Sequence, residues 1–314
     1  MSTFQGKNKS VELQEKIIRY FLIAAATISI LTTFGILFSI LFEAIEFFKL
    51  KSFLYFFTGT EWSPGTVDSK FGALPIFAGT FMITLIAMSV ALPIGLGSAI
   101  FMSEYASSNQ RTYLKPLLEI LAGIPTVVYG FFAAITVAPF IVNVCNNLGI
   151  DASFNSALAS GVVMGIMIIP VISSLSDDVI SAVPDSLRKG SLALGMTKAE
   201  TIKDIVLPSA LPGIISASLL GISKALGETM IVVMAAGLRP NLSWNILEDM
   251  TTVTVRIVDS LVGDQAFNSP AFNSPATLSA FALGLALFVV TLILNIVSVR
   301  MIQRFKEKYK MSSL

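Results

Sequence analysis

Six stretches of the chain are long, apolar and almost free of charge. Tyr20 to Phe42 runs 23 residues without a charge, and Phe71 to Met102 runs 32. Ile120 to Ile150 is also uncharged, with the crossing itself expected near Leu117 to Ile141. Ala157 to Leu175 is a shorter fourth stretch, Pro212 to Gly237 a fifth with two charges inside it, and Thr277 to Val299 a sixth. A helical bilayer crossing takes about 20 mostly apolar residues. The pattern predicts an all-α polytopic membrane protein with six transmembrane helices. The second stretch exceeds one crossing, and Gly72 and Pro75 put its start at the interface or outside the helix. The first stretch exceeds the apolar run of about 7–15 residues in a signal peptide and precedes no clear cleavage site, so it reads as a retained anchor. The expected layout is a terminal segment 1–19, a first helix 20–45, an outer loop 46–72, a transmembrane domain 73–299 and a tail 300–314.

Composition supports this reading and narrows the chemistry. The 314 residues are 54% hydrophobic and 13% charged, against about 25% charged in a soluble domain. A soluble or disordered chain is excluded. There is no histidine, which removes the commonest general base and metal ligand. The single cysteine, Cys145, excludes an internal disulfide. The sequence contains no G-x-x-x-x-G-K-[ST], H-E-x-x-H or G-x-S-x-G. No enzyme activity, cofactor or metal is expected, and any energy from ATP must come from another chain.

The net charge of +1 conceals an asymmetry. With six crossings, fifteen of the 21 Lys and Arg residues fall on the side of the termini, five on the other, and Lys224 inside a crossing. Basic residues favour cytoplasmic loops, so both termini are expected in the cytoplasm. The outer loop from Leu238 to Ala276 includes a Thr/Val-rich stretch, Thr251 to Val255, and ends in a tandem Phe-Asn-Ser-Pro-Ala repeat at 267–276. That repeat reads as a tolerated insertion. Arg239 and Arg256 read mainly as solvated charges of this loop, with anion steering the alternative.

The inner loop from Ser176 to Leu211 is long for a connector and carries helix signals. Asp185 or Ser186 offers an N-cap, and Leu187, Ser191 and Leu194 share a helical face. Gly195 supplies a stop, and Thr197 with Glu200 forms a capping box. A second short helix is expected to end by Leu207, before Pro208. Two short helices around a glycine elbow suit a partner-binding platform.

Inside the fifth stretch, Lys224 and Glu228 stand four residues apart, which on one helix puts them in pairing distance. Charges within a crossing mark pathways more often than they add stability. Lys224 is read as offering a positive charge to a passing anion and Glu228 as tuning it, with a structural ion pair as the alternative. In Ile124-Pro125-Thr126-Val-Val-Tyr129-Gly130 the proline invites a kink. Thr126 and Tyr129 could line a polar path or serve packing. Glu119 reads as an interfacial charge. Gly161 and Gly165 form a G-x-x-x-G that permits close helix approach.

The segment Arg188-Lys-Gly-Ser-Leu-Ala-Leu-Gly-Met-Thr-Lys-Ala-Glu-Thr-Ile-Lys-Asp-Ile-Val-Leu-Pro208 resembles the E-A-A loop of the membrane subunits of bacterial ABC importers. Here Lys189-Gly190-Ser191 stands where that motif has Glu-Ala-Ala. Thr58-Gly-Thr-Glu-Trp-Ser-Pro64, the stretch Leu114 to Phe132, and Leu226-Gly-Glu-Thr-Met230 resemble the permeases of the phosphate-specific importer, which carry Arg where this chain has Lys224. The resemblance implies a type I ABC importer permease (MetI-like) fold and a role in phosphate import. It also implies a second permease, an ATPase dimer and an extracytoplasmic phosphate-binding protein as partners. Lys189, Gly190, Ser191, Gly195, Thr197, Glu200 and Pro208 would then belong to the contact with the ATPase. The same fold carrying molybdate or sulfate, and a secondary transporter needing no ATPase, are the alternatives.

Overall fold

The computed structural model describes residues 9–64, 68–261 and 274–311, with side chains from 13 to 304 in those ranges. Most of the phenylalanine–proline repeat lies outside the described residues. Among those described, six helical spans are long and apolar enough to cross a membrane, and they run Leu13–Leu50, Leu74–Tyr105, Thr126–Asn147, Ala157–Ser181, Lys198–Leu226 and Pro275–Arg304.

Helix α1 (Lys9–Leu50) has 42 residues, about 60 Å at 1.5 Å per residue. It outruns the expected 20–45 segment at both ends, and most of its surface is exposed. Only its end enters the core, where Phe47 is fully buried. There Phe47, Phe56 of α2 (Phe53–Thr58) and Phe71 stack edge to face, with Trp62 against Phe56 and Phe71. Trp62 and Phe71 are paired across a short antiparallel ribbon, β1 (Trp62–Ser63) with β2 (Lys70–Phe71). The sequence pattern read this segment only as a loop.

The centre is α3 (Leu74–Ile100) packed on α7 (Ala157–Ser181), the most extensive helix contact in the molecule. Small residues make it possible. A Cβ on Gly161 would lie 2.6 Å from Ile86, one on Gly165 2.8 Å from the Ala87 carbonyl, and one on Gly95 3.0 Å from Ile172. In lipid there is no water to expel between helices, so close backbone approach and dispersion hold them. α10 (Leu207–Leu226) also packs on α7, with Gly221 facing Ile168 and Ile172. α13 (Pro275–Met311) packs on α1, α10 and α12 (Val253–Leu261).

Two crossings differ from the expected ones. The third does not run from Leu117. α4 (Ser108–Ala122) ends at Gly123, and α5 (Thr126–Phe132) restarts after Pro125 and continues through a π turn (Ala133–Val137) into α6 (Ala138–Asn147). Proline cannot donate a backbone bond and pushes the residue before it out of the helical region. The fifth does not reach Gly237: α10 stops at Leu226, and α11 (Met230–Ala235) is a separate short helix.

A third difference is at Pro208. The helix begun by α9 (Lys198–Thr201) does not end at Leu207 but runs on into α10. A π turn, Ile202–Val206, carries it past the proline, with the Leu207 amide bonding back five residues to Ile202.

The outer connection is not a free loop. Its carbonyls at Ile246 and Glu248 accept the Leu158 and Ala157 amides, satisfying the first turn of α7. Thr251 and Val253 are fully buried.

The α3–α7 seam yields a direct test. Gly165→Val should lower the detergent melting temperature by an overpacking cost of about 1–3 kcal/mol. Gly97→Ala, on the same pair but with no neighbour within 4 Å, should melt as the parent does.

Candidate functional site

Two regions concentrate the residues singled out by sequence. One is a helical hairpin at the end of the bundle that follows α7. α8 (Asp185–Ala193) begins one residue earlier than an Asp185 cap requires and two earlier than a Ser186 cap, with Pro184 in the cap position. Gly195 has φ +88°, a left-handed conformation that favours glycine. Thr197 caps α9: its Oγ1 accepts the Glu200 amide at 3.3 Å, and Glu200 Oε2 accepts the Thr197 amide at 2.7 Å. Ser191 Oγ and Thr201 Oγ1 lie 2.8 Å apart and tie the two limbs together. Lys189, Gly190 and Glu200 face outward, and Leu194 at the tip is 86% exposed.

Charges missed by the sequence reading lie just behind the hairpin. Asp177 is fully buried and accepts Arg111 Nη2 at 2.8 Å, while Asp178 accepts Lys115 Nζ at 2.6 Å, clamping α4 to α7. The Asp178 carboxylate holds the Lys115 amine above its ordinary pKa. Arg188 bonds Glu104 at 2.9 Å. The signal was available: the acids sit where the fourth apolar stretch ends, and basic residues follow the second.

The other region is where the two interrupted crossings meet. The helix containing Lys224 ends at Leu226, so Lys224 and Glu228 do not share a helix face, and no ion pair joins them among the described residues. Glu228 is buried, and its carboxylate accepts the Met230 amide at 3.0 Å and the Ile231 amide at 3.4 Å, capping α11. Its own carbonyl accepts Thr254 Oγ1 at 2.7 Å. Half-buried Lys224 is left with its charge uncommitted among the described residues. α5 packs directly on α11, where a Cβ at Gly130 would lie 3.1 Å from the Met230 carbonyl. Tyr129 donates its hydroxyl to the Leu121 carbonyl at 3.0 Å, across the Gly123–Pro125 break. The Tyr129 hydroxyl is therefore engaged at the break. Thr126 opens α5 and is half-buried. Glu119 is exposed on α4. Arg239 is exposed, but Arg256 is not a solvated charge: it bonds Asp259 at 2.7 Å and the Leu238 carbonyl.

An exposed, capped hairpin thus lies between the fourth and fifth spans. Residues 91–308 match the family described as "Binding-protein-dependent transport system inner membrane component". The chain belongs to this family. It is accordingly a multi-pass inner-membrane permease subunit, not an enzyme, and works with a partner permease, an ATPase and a binding protein. It is 34% identical over 292 residues to the phosphate transport system permease protein PstC 1 of Mycobacterium tuberculosis, covering 83% of this chain and 85% of that one. It is 39% identical over 182 residues to the probable ABC transporter permease protein YqgH of Bacillus subtilis, a match spanning 58% of each chain. Among solved structures it superposes on a bacterial alginate ABC transporter with a TM-score of 0.62 at 15% identity, covering 93% of this chain and 97% of that one. This likeness shows the type of fold.

The capping box is open to a direct test: Thr197→Ala, which removes the oxygen that accepts the Glu200 amide, should destabilise the hairpin by about 1 kcal/mol, read as faster hydrogen exchange at the Glu200 amide. Separately, Glu228→Ala should destabilise the fold by about 1 kcal/mol through the lost cap, while Glu228→Gln, which still offers an oxygen, should cost less.

Proposed function

We propose that this chain is one of the two permease subunits of an ATP-driven phosphate importer. The observation that carries this reading is Lys224, without a charged partner among the described residues and close to the Gly227–Thr229 break, in a chain 34% identical over most of its length to PstC-type permeases. The partners would be a PstA-like permease, a PstB-like ATPase dimer and a PstS-like phosphate-binding protein. The exposed hairpin around Gly195, with Lys189, Gly190, Ser191, Thr197 and Glu200, seats the ATPase, and Pro208 fixes where its second limb enters the bundle. ATP binding closes the ATPase pair, moves the hairpin and opens the path outward, and hydrolysis resets it.

Close to the Gly227–Thr229 break, an ammonium without a charged partner among the described residues gains by meeting an anion. Glu228 acts indirectly by holding α11, and Thr126 and Tyr129 shape the facing wall. The same orientation puts both termini in the cytoplasm, as the fifteen-to-five distribution of basic residues favours. Residues 73–299 then form the transporting domain, with 1–19 and 300–314 inside.

Phosphate uptake measures this directly. Removing one charged hydrogen-bond donor, worth about 1.5–3 kcal/mol, predicts that Lys224→Ala lowers uptake at least about tenfold with normal membrane abundance. Lys224→Arg should retain it. Unchanged uptake in Lys224→Ala would sink the pathway role. Stimulation of the reconstituted ATPase by sulfate or molybdate, and not by phosphate, would sink the substrate.

A further inference from the structure

The hairpin is fastened to the bundle at a point that sequence reading did not single out. α3 continues beyond Ile100 as a π turn, Phe101–Tyr105. A π turn holds one residue more than a regular turn and recurs where helices must shift register. Both limbs of the hairpin grip it. From α8, Arg188 places Nε 3.1 Å and Nη2 2.9 Å from Glu104 Oε1. From α9, Lys198 Nζ sits 4.5 Å from the centroid of the Tyr105 ring. Arg188 also donates to the Ile180 carbonyl at 2.8 Å and to the Val183 carbonyl, so one side chain binds the ends of both central helices. The pair is sheltered, with the Glu104 side chain 8% and the Arg188 side chain 16% exposed.

α3 carries this attachment to the opposite end of the bundle. There Gly79 abuts the Thr251 carbonyl, leaving no room for a Cβ, and Thr80 Oγ1 accepts the Val253 amide at 3.0 Å. One residue on, Thr254 holds the carbonyl of Glu228. A continuous run of bonded and close-packed groups thus joins the hairpin to the helix break beside Lys224.

We propose that Glu104 and Arg188, supported by Lys198 on Tyr105, are positioning residues that deliver movement of the hairpin to α3 and so to the helix break. This rests on the reading that the hairpin seats the ATPase.

The test uses the complete importer in proteoliposomes, scoring ATP hydrolysed per phosphate imported. Glu104→Gln keeps the shape and leaves Arg188 its carbonyl partners, so the ATPase should still co-purify. The ratio should rise about fivefold or more, the lower end of ordinary allosteric coupling. Lys198→Met alters an exposed side chain that the fold does not need, and should raise the ratio less. The double variant should raise it most. Parental ratios in both single variants would overturn the proposal. If Glu104→Gln does not assemble, a parental ratio in Lys198→Met overturns it alone. The docking reading is judged separately by Leu194→Asp: undiminished co-purification of the ATPase would overturn that reading without bearing on the ratios.

Discussion

A helix interrupted inside a bilayer leaves backbone amides and carbonyls with no water to bond, and each costs several kcal/mol unless the protein supplies a partner. The same demand arises at two breaks that border the third and fifth spans, and much of the structure follows from meeting it there. At Gly123–Pro125 the Tyr129 hydroxyl reaches back to the Leu121 carbonyl. At Gly227–Thr229 the Glu228 carboxylate takes the first amides of α11, and Thr254 takes the Glu228 carbonyl. The second solution needs the chain after α11 to fold back into the bundle. That is why Thr251 to Val253 are buried and why the same connection can cap α7. Breaks of this kind are tolerated where protein covers them, and that is also where a path for a polar solute can run.

The other end of the molecule is governed by charge. Asp177 is fully buried, and Arg111 and Lys115 both approach it. Stripping such an acid of its partners costs about 3–5 kcal/mol, so α4 is held to α7 although the chain breaks at Gly123–Pro125. Arg188 does the same for the hairpin, using a planar head that reaches Glu104 and two carbonyls together, which a lysine could not match. The hairpin is thus anchored on its inner side while Leu194 and the glycine elbow stay open to a partner.

Much of this was legible in the chain. The apolar stretches identified six crossings because lipid tolerates no long charged run. The Gly195 elbow and the Thr197–Glu200 box were legible because each depends on residues close in sequence. The G-x-x-x-G announced the α3–α7 seam, although only the fold named Ile86 and Val90 as its partners. Pro208 misled, since a π turn absorbs a proline that local rules treat as a stop. Lys224 and Glu228 misled for a related reason. Spacing of four means adjacency only if the helix continues, and here it ends between them.

The sequence by itself determined the number of crossings, the excess of basic residues at one end and the capped hairpin. All of these are read from composition or from neighbours along the chain. Only the tertiary structure decided where the helices break, which acids are buried, and that Glu228 caps α11 while Lys224 has no charged partner among the described residues. Those outcomes depend on Thr254, Arg111 and Glu104, whose positions relative to their partners are fixed by helix packing across dozens of residues and leave no local pattern in the chain.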